Sequence, residues 1–175
     1  MQERCGKIKL LLLDVDGVLT DGRIIYDNQG VETKAFDVKD GHGLKLVQRA
    51  GIQVGIITGR SSQVVAHRAA ELDIAIVHQG AKDKLIPYAA VLAELGLNDE
   101  QVAYVGDDVV DLPILRRVGL AVTVADAVEE IKPYVHYVTR RLGGRGAVRE
   151  VCDLILQQSG RWDEVTRRYF QEAGG

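Results

Sequence analysis

A chain of 175 residues is long enough for one domain with a sizeable core, and a composition 46% hydrophobic and 27% charged is that of a globular protein. A net charge of -3 gives no basis for nucleic-acid or anionic-membrane binding, and the polar start Met1–Lys7 predicts no secretory signal. Two lone cysteines, Cys5 and Cys152, have no metal-ligand spacing and no disulfide framework, so a cytoplasmic protein is expected.

In chain order, the first predicted strand covers 8–13 and ends abruptly in Asp14-Val15-Asp16-Gly17. The alternation of a strand puts Asp14 and Asp16 on one side. Two neighbouring carboxylates repel unless a cation or shared proton compensates them, which points to a hard divalent ion such as Mg2+ with room for a phosphate. Taken alone, Asp and Gly at a strand end also suit an ordinary turn. Residues 22–37 read as two short strands around Asp27-Asn28-Gln29-Gly30, a hairpin flap expected to overhang that strand end. Its Ile24, Ile25, Tyr26, Val31 and Phe36 call for something to pack against.

Helix-spaced apolar residues at 43–50, 61–72, 83–95 and 110–117 then alternate with strands at 53–57, 74–77, 102–105, 120–124 and 135–138. That rhythm predicts a single α/β domain over 1–175, a Rossmann-like doubly wound parallel sheet with a β-hairpin and no cap domain. The segment 143–175 reads as a Gly-rich motif and a helical tail broken near Gly160. Cys152 belongs to the apolar face of its first helix.

The remaining strand ends carry further chemistry. Thr58 closes the second strand in Ile57-Thr58-Gly59-Arg60, with a helix expected from Ser61; its hydroxyl and the free N–H groups there suit a phosphate, and Arg60 suits an anion. Lys84 starts a helix, where a cation opposes the macrodipole unless a site uses it; spacing alone leaves Lys82 an equal candidate. Gly106-Asp107-Asp108-Val109-Val110-Asp111 sets three acids at another strand end. A helix cap needs one acid, so three call for a cation. None of His42, His67, His78 and His136 shows ligand spacing.

The order Asp-x-Asp, Thr, Lys, Gly-Asp-Asp-x-x-Asp resembles the haloacid dehalogenase superfamily of phosphotransferases over residues 8–125. The resemblance implies that Asp14 is the nucleophile and forms an aspartyl phosphate, while Asp16 gives and then takes the proton. It implies that Thr58 and Lys84 hold the transferring phosphoryl group. Asp14, the Asp16 carbonyl and Asp107 would ligate Mg2+, Asp108 would orient water around the ion, and Asp111 would anchor Lys84.

A narrower resemblance covers nearly the whole chain, to the capless members that hydrolyse 3-deoxy-D-manno-octulosonate (Kdo) 8-phosphate in lipopolysaccharide biosynthesis. It rests on Asp14–Gly22, Lys34–Gly41, Ile57–Arg60, Gly106–Pro113 and Gly143–Glu150. It implies a homotetramer whose hairpins cover neighbouring sites. It also implies a sugar-acid pocket lined by Asp16, Asp37, Val38, Lys39, Asp40, Gly41, Lys45, Arg60, Arg68 and Lys84, the cations answering a substrate that carries both carboxylate and phosphate. A phosphatase for a nine-carbon sialic-type 9-phosphate is the nearest alternative, against which Arg60 argues, since an acidic residue is expected there. A phospho-accepting receiver domain is a remoter alternative; such domains phosphorylate an Asp on the third strand, which is absent here.

Overall fold

Leu10–Leu13 are wholly buried and form β1, the centre of the molecule. The computed structural model describes residues 1–170. A hairpin of two-residue strands follows, β2 (Ile25–Tyr26) and β3 (Glu32–Thr33), then β4 (Gln53–Ile57), β5 (Ile76–His78), β6 (Val102–Gly106), β7 (Leu120–Thr123) and β8 (Tyr137–Val138). Apart from the hairpin, the strands form one parallel sheet in the order β5-β4-β1-β6-β7-β8. Helices α1 (Gln2–Lys7), α2 (Val38–Arg49), α3 (Gln63–Glu71), α4 (Leu85–Leu95), α5 (Leu112–Leu115), α6 (Ala147–Gln158) and α7 (Trp162–Phe170) complete the fold.

The topology positions the site. From β1 the chain builds outward through β4 and β5, then crosses to the other side of β1 to lay down β6. The order therefore reverses between β1 and β6, and a crevice opens there beyond the carboxyl ends of the strands, where doubly wound sheets bind ligands. Asp14 follows β1 and Asp107 follows β6, so the two acid motifs meet across this crevice. Among the described residues, no helix is long and apolar enough to cross a membrane.

Several boundaries differ from the sequence reading, each for a physical reason. Helix α2 starts at Val38 rather than 43, because Asp37 caps it by accepting the Lys39 N–H (2.7 Å). Its glycines look like breakers but allow close helix packing: a Cβ on Gly43 would lie 3.2 Å from Arg149 Cα and from Cys152 Cβ on α6. The segment expected to be helical over 110–117 is a 3-10 turn at Val109–Asp111 followed by the short α5. Strand β5 runs 76–78 instead of 74–77. Helix α1 went unread in the polar start; it buries Cys5 against the core. The tail packs on its own chain, with Val148, Val151, Cys152, Ile155 and Leu156 of α6 in the core. Its last positions, 171–175, lie outside the described residues.

Candidate active site

Asp14 is buried at the tip of β1, where its Oδ1 accepts the Val15 N–H (2.7 Å) and its Oδ2 pairs with Lys84 Nζ (2.7 Å). Lys84 is itself buried at the start of α4 and also donates to Asp111 Oδ1 at 2.6 Å. This separates the two lysines, since Lys82 is exposed. The macrodipole cost at the head of α4 is offset by two carboxylates, and Asp83, just before the helix, accepts the Leu85 N–H (3.0 Å). Asp111 is fully buried and saturated: it takes Lys84, the Tyr104 hydroxyl (2.6 Å), and the backbone N–H groups of Asp107 (2.9 Å) and Asp108 (3.3 Å).

Asp14, Asp107 and Asp111 each place a carboxylate oxygen within 4.8 Å of the others. Burial raises the Asp14 pKa to about 6, the nearby Asp111 adding to it and Lys84 opposing it. Burial likewise lifts Asp107 to about 7, with Asp14, Asp111 and Asp108 adding repulsion. For Lys84, burial works against the charge, but Asp111 and Asp14 outweigh it and raise the pKa. One lysine therefore leaves the acids undercompensated. With Asp111 engaged on all sides, Asp14 and Asp107 are the carboxylates placed to accept a hard cation. Gly17 keeps the approach open: at φ +87 it follows Asp16, and a Cβ there would sit 1.9 Å from Asp107 Oδ2.

Asp16 stands at the mouth and is engaged by the hairpin. It pairs with Lys34 Nζ and lies 3.5 Å from Arg60 Nε. Thr58, buried at the end of β4, flanks the crevice on the β1 side. The expected cradle of free N–H groups beside it is smaller than foreseen: α3 begins at Gln63, and the Ser62 N–H donates to Gln79 Oε1. Asp108 is exposed and caps the turn after β6 through Val109 N–H.

The implied pocket residues divide. Arg60 joins the mouth, and Asp37, Val38 and Lys39 surround the head of α2, with Val38 and Lys39 exposed. Asp40 turns inward and accepts the Arg149 N–H (2.7 Å) and more weakly the Gly146 N–H at the start of α6; burial raises its pKa to about 6. Gly41 packs under the Arg68 guanidinium, which reaches Glu71. Lys45 pairs with Asp73, which precedes β5 and so lies toward the opposite sheet edge.

Tyr104, Glu32 and Lys34 are contributors that the sequence reading did not assign to the site. A tyrosine inside an aliphatic strand, two residues before Gly106, was the available signal for the first. The hairpin pair needed tertiary information.

The sequence is 52% identical to the 3-deoxy-D-manno-octulosonate 8-phosphate phosphatase of Escherichia coli (strain K12) over 162 residues, 93% of this chain and 86% of that protein. The chain belongs to the haloacid dehalogenase-like hydrolases, in the group of these phosphatases. The model of the haloacid dehalogenase-like hydrolase family matches residues 38–119. Among solved structures of the group, the Yersinia pestis phosphatase superposes with a TM-score of 0.91 at 50% identity, covering 93% of this chain and 88% of that one. The Moraxella catarrhalis phosphatase, solved with magnesium ion, phosphate ion and Kdo, gives 0.93 at 43% identity, covering 96% and 97%. The phosphatases of this group are phosphomonoester hydrolases within that family.

Proposed function

We propose that this phosphatase hydrolyses 3-deoxy-D-manno-octulosonate 8-phosphate to Kdo and phosphate, with Mg2+, through an aspartyl phosphate on Asp14. The observation that carries the mechanism is the buried Asp14–Lys84–Asp111 ion triad at the β1–β6 switch point, with Asp107 beside it. The substrate follows from identity of about half the residues to phosphatases of that ester. Asp14 and Asp107, with the Asp16 carbonyl, suit Mg2+, whose charge when bound offsets the repulsion between carboxylate and phosphate.

The residues then divide the work. An Asp14 oxygen attacks phosphorus as the ester's P–O bond breaks, and Asp16 passes its proton to the departing sugar hydroxyl oxygen. In the second half, water attacks the phosphoryl group, Asp16 takes the water's proton, and Asp14 leaves as carboxylate. Lys84 and Thr58 hold phosphoryl oxygens, and Asp111 holds Lys84. Arg60 takes the carboxylate of the sugar acid as a bidentate partner, and Asp37, Val38 and Lys39 border the pocket.

We place the reaction in the cytoplasm, in lipopolysaccharide synthesis. We also propose a homotetramer assembled through the hairpins, because Ile24, Ile25, Tyr26 and Val31 there are 47–59% exposed. The substrate is tested by Mg2+-dependent phosphate release from Kdo 8-phosphate, nine-carbon sialic-type 9-phosphates and hexose phosphates. The reading predicts a kcat/KM for Kdo 8-phosphate at least about 100-fold above the hexose phosphates, a size that one close charge pair to the substrate carboxylate supplies, and higher than for the nine-carbon esters as well. Preference for the nine-carbon acids would retain the mechanism and discard the substrate.

A further inference from the structure

Two residues of the hairpin and two of the core form a closed ring of alternating charge. Lys34 pairs with Asp16 and, at 3.3 Å, with Glu32; Arg60 lies 3.1 Å from Glu32 and 3.5 Å from Asp16. Lys34 is nearly inaccessible, its side chain only 1% exposed, and Glu32 is 14% exposed. Arg60 already has one terminal nitrogen engaged by this chain's own groups, donating to Glu32 and to the Tyr26 hydroxyl (3.0 Å). Its Nε is buried without a hydrogen-bond partner.

Such a ring is a poor final state for a substrate-binding arginine. A buried donor left unpaired costs free energy, so the arrangement favours a ligand that supplies a second acceptor. Beside the ring lies a groove of about 440 Å³ bordered by Tyr26, Val31, Glu32, Arg60, Ser61 and His67. The two strands of the hairpin that carries Glu32 pair at only two positions, Ile25 with Thr33 and Tyr26 with Glu32, and Asp27 closes the turn between them by donating its N–H to the Val31 carbonyl (3.1 Å).

We propose that Glu32 is a specificity-determining residue: its carboxylate occupies the Arg60–Lys34 cation pair in the free protein and is exchanged for the carboxylate of the sugar-acid phosphate. The inference rests on the proposed function in taking a carboxylate as the group that Arg60 receives. Exchange of one carboxylate for another keeps the cations paired throughout, whereas an ester without a carboxylate leaves Glu32 on Arg60 and Lys34. The cost of displacing Glu32 therefore falls on the sugar-acid ester alone, and Glu32 sets how tightly that class of ester binds relative to others.

The test compares Glu32→Gln with the wild type on Kdo 8-phosphate and on p-nitrophenyl phosphate, which has no carboxylate. The amide retains an acceptor for Arg60 and removes the competing charge. The ratio of the KM for Kdo 8-phosphate to that for p-nitrophenyl phosphate is expected to fall about fivefold, with Glu32→Asp moving it back toward the wild-type value. A ratio that stays level or rises makes Glu32 a brace for Arg60 and overturns the proposal. Calorimetric binding of Kdo, which has the carboxylate and no phosphate, gives the same comparison without turnover. Tighter binding to Glu32→Gln is expected, and equal, weaker or undetectable binding would count against it. The wild-type preference between the two esters tests the substrate assignment separately.

Discussion

Asp14→Asn will abolish phosphate release while leaving the protein folded. The amide cannot attack phosphorus, so the loss in kcat is expected to be at least about 10⁴-fold, a size typical for removal of a covalent nucleophile. Stability moves the other way. Burial and Asp111 hold the Asp14 carboxyl near a pKa of about 6, which means the folded protein disfavours its charge at neutral pH. Replacing the carboxylate by a neutral group of the same shape is expected to stabilise the metal-free protein at pH 8 by about 1–2 kcal/mol, less than the full shift because Lys84 loses one partner. Parallel urea titrations and phosphate-release assays check both halves. Loss of activity through unfolding would show as a lower urea midpoint and would contradict the nucleophile assignment.

Lys84→Met carries the second large effect, on stability and chemistry together. The substitution keeps the volume of the side chain but strips the cation from a site where Asp14, Asp107 and Asp111 converge. A buried charge cluster that loses its partner is typically destabilised by about 3–5 kcal/mol, and that loss is expected at pH 8. The pH dependence has a definite sign. Asp14 and Asp107, at about 6 and about 7, bind protons more tightly folded than unfolded. Groups with raised folded pKa values contribute stability at low pH that is lost as pH rises through those values. Removing Lys84 raises both further, so the deficit should shrink as pH falls toward 5 and widen above 7. Thermal melts across that range, without metal, measure it. Activity is expected to fall as well, since Lys84 holds the transferring phosphoryl group. A deficit independent of pH would mean that Lys84 packs rather than compensates charge.

Much of this was legible because the decisive residues sit where local pattern is strongest. The aliphatic run Leu10–Leu13 could only be a buried strand, and Asp14, Thr58 and Asp107 each follow such a run directly, so their common sheet edge followed from the α/β alternation. The choice of Lys84 over Lys82 did not, because one turn of loop decides which amine reaches β1. Helix α2 was read late because Gly41 and Gly43 oppose helix formation locally, and their purpose is to let Arg68 and α6 approach. Asp40 is addressed to the N-terminus of α6, more than a hundred positions away, and nothing near it in the chain signals that. Glu32 and Lys34 were hidden for the same reason: their partners, Asp16 and Arg60, come from two other segments. Local pattern reveals strand ends, while long-range ion pairs emerge only from packing.

The most direct test of the central claim is to look for the phosphoryl group on Asp14. Enzyme mixed with Mg2+ and Kdo 8-phosphate, quenched in acid within one turnover, digested at low pH and examined by mass spectrometry should yield the peptide spanning Asp14 heavier by one phosphoryl group, lost on treatment with hydroxylamine. An unmodified Asp14 peptide beside full turnover, or the adduct on another residue, would contradict the account.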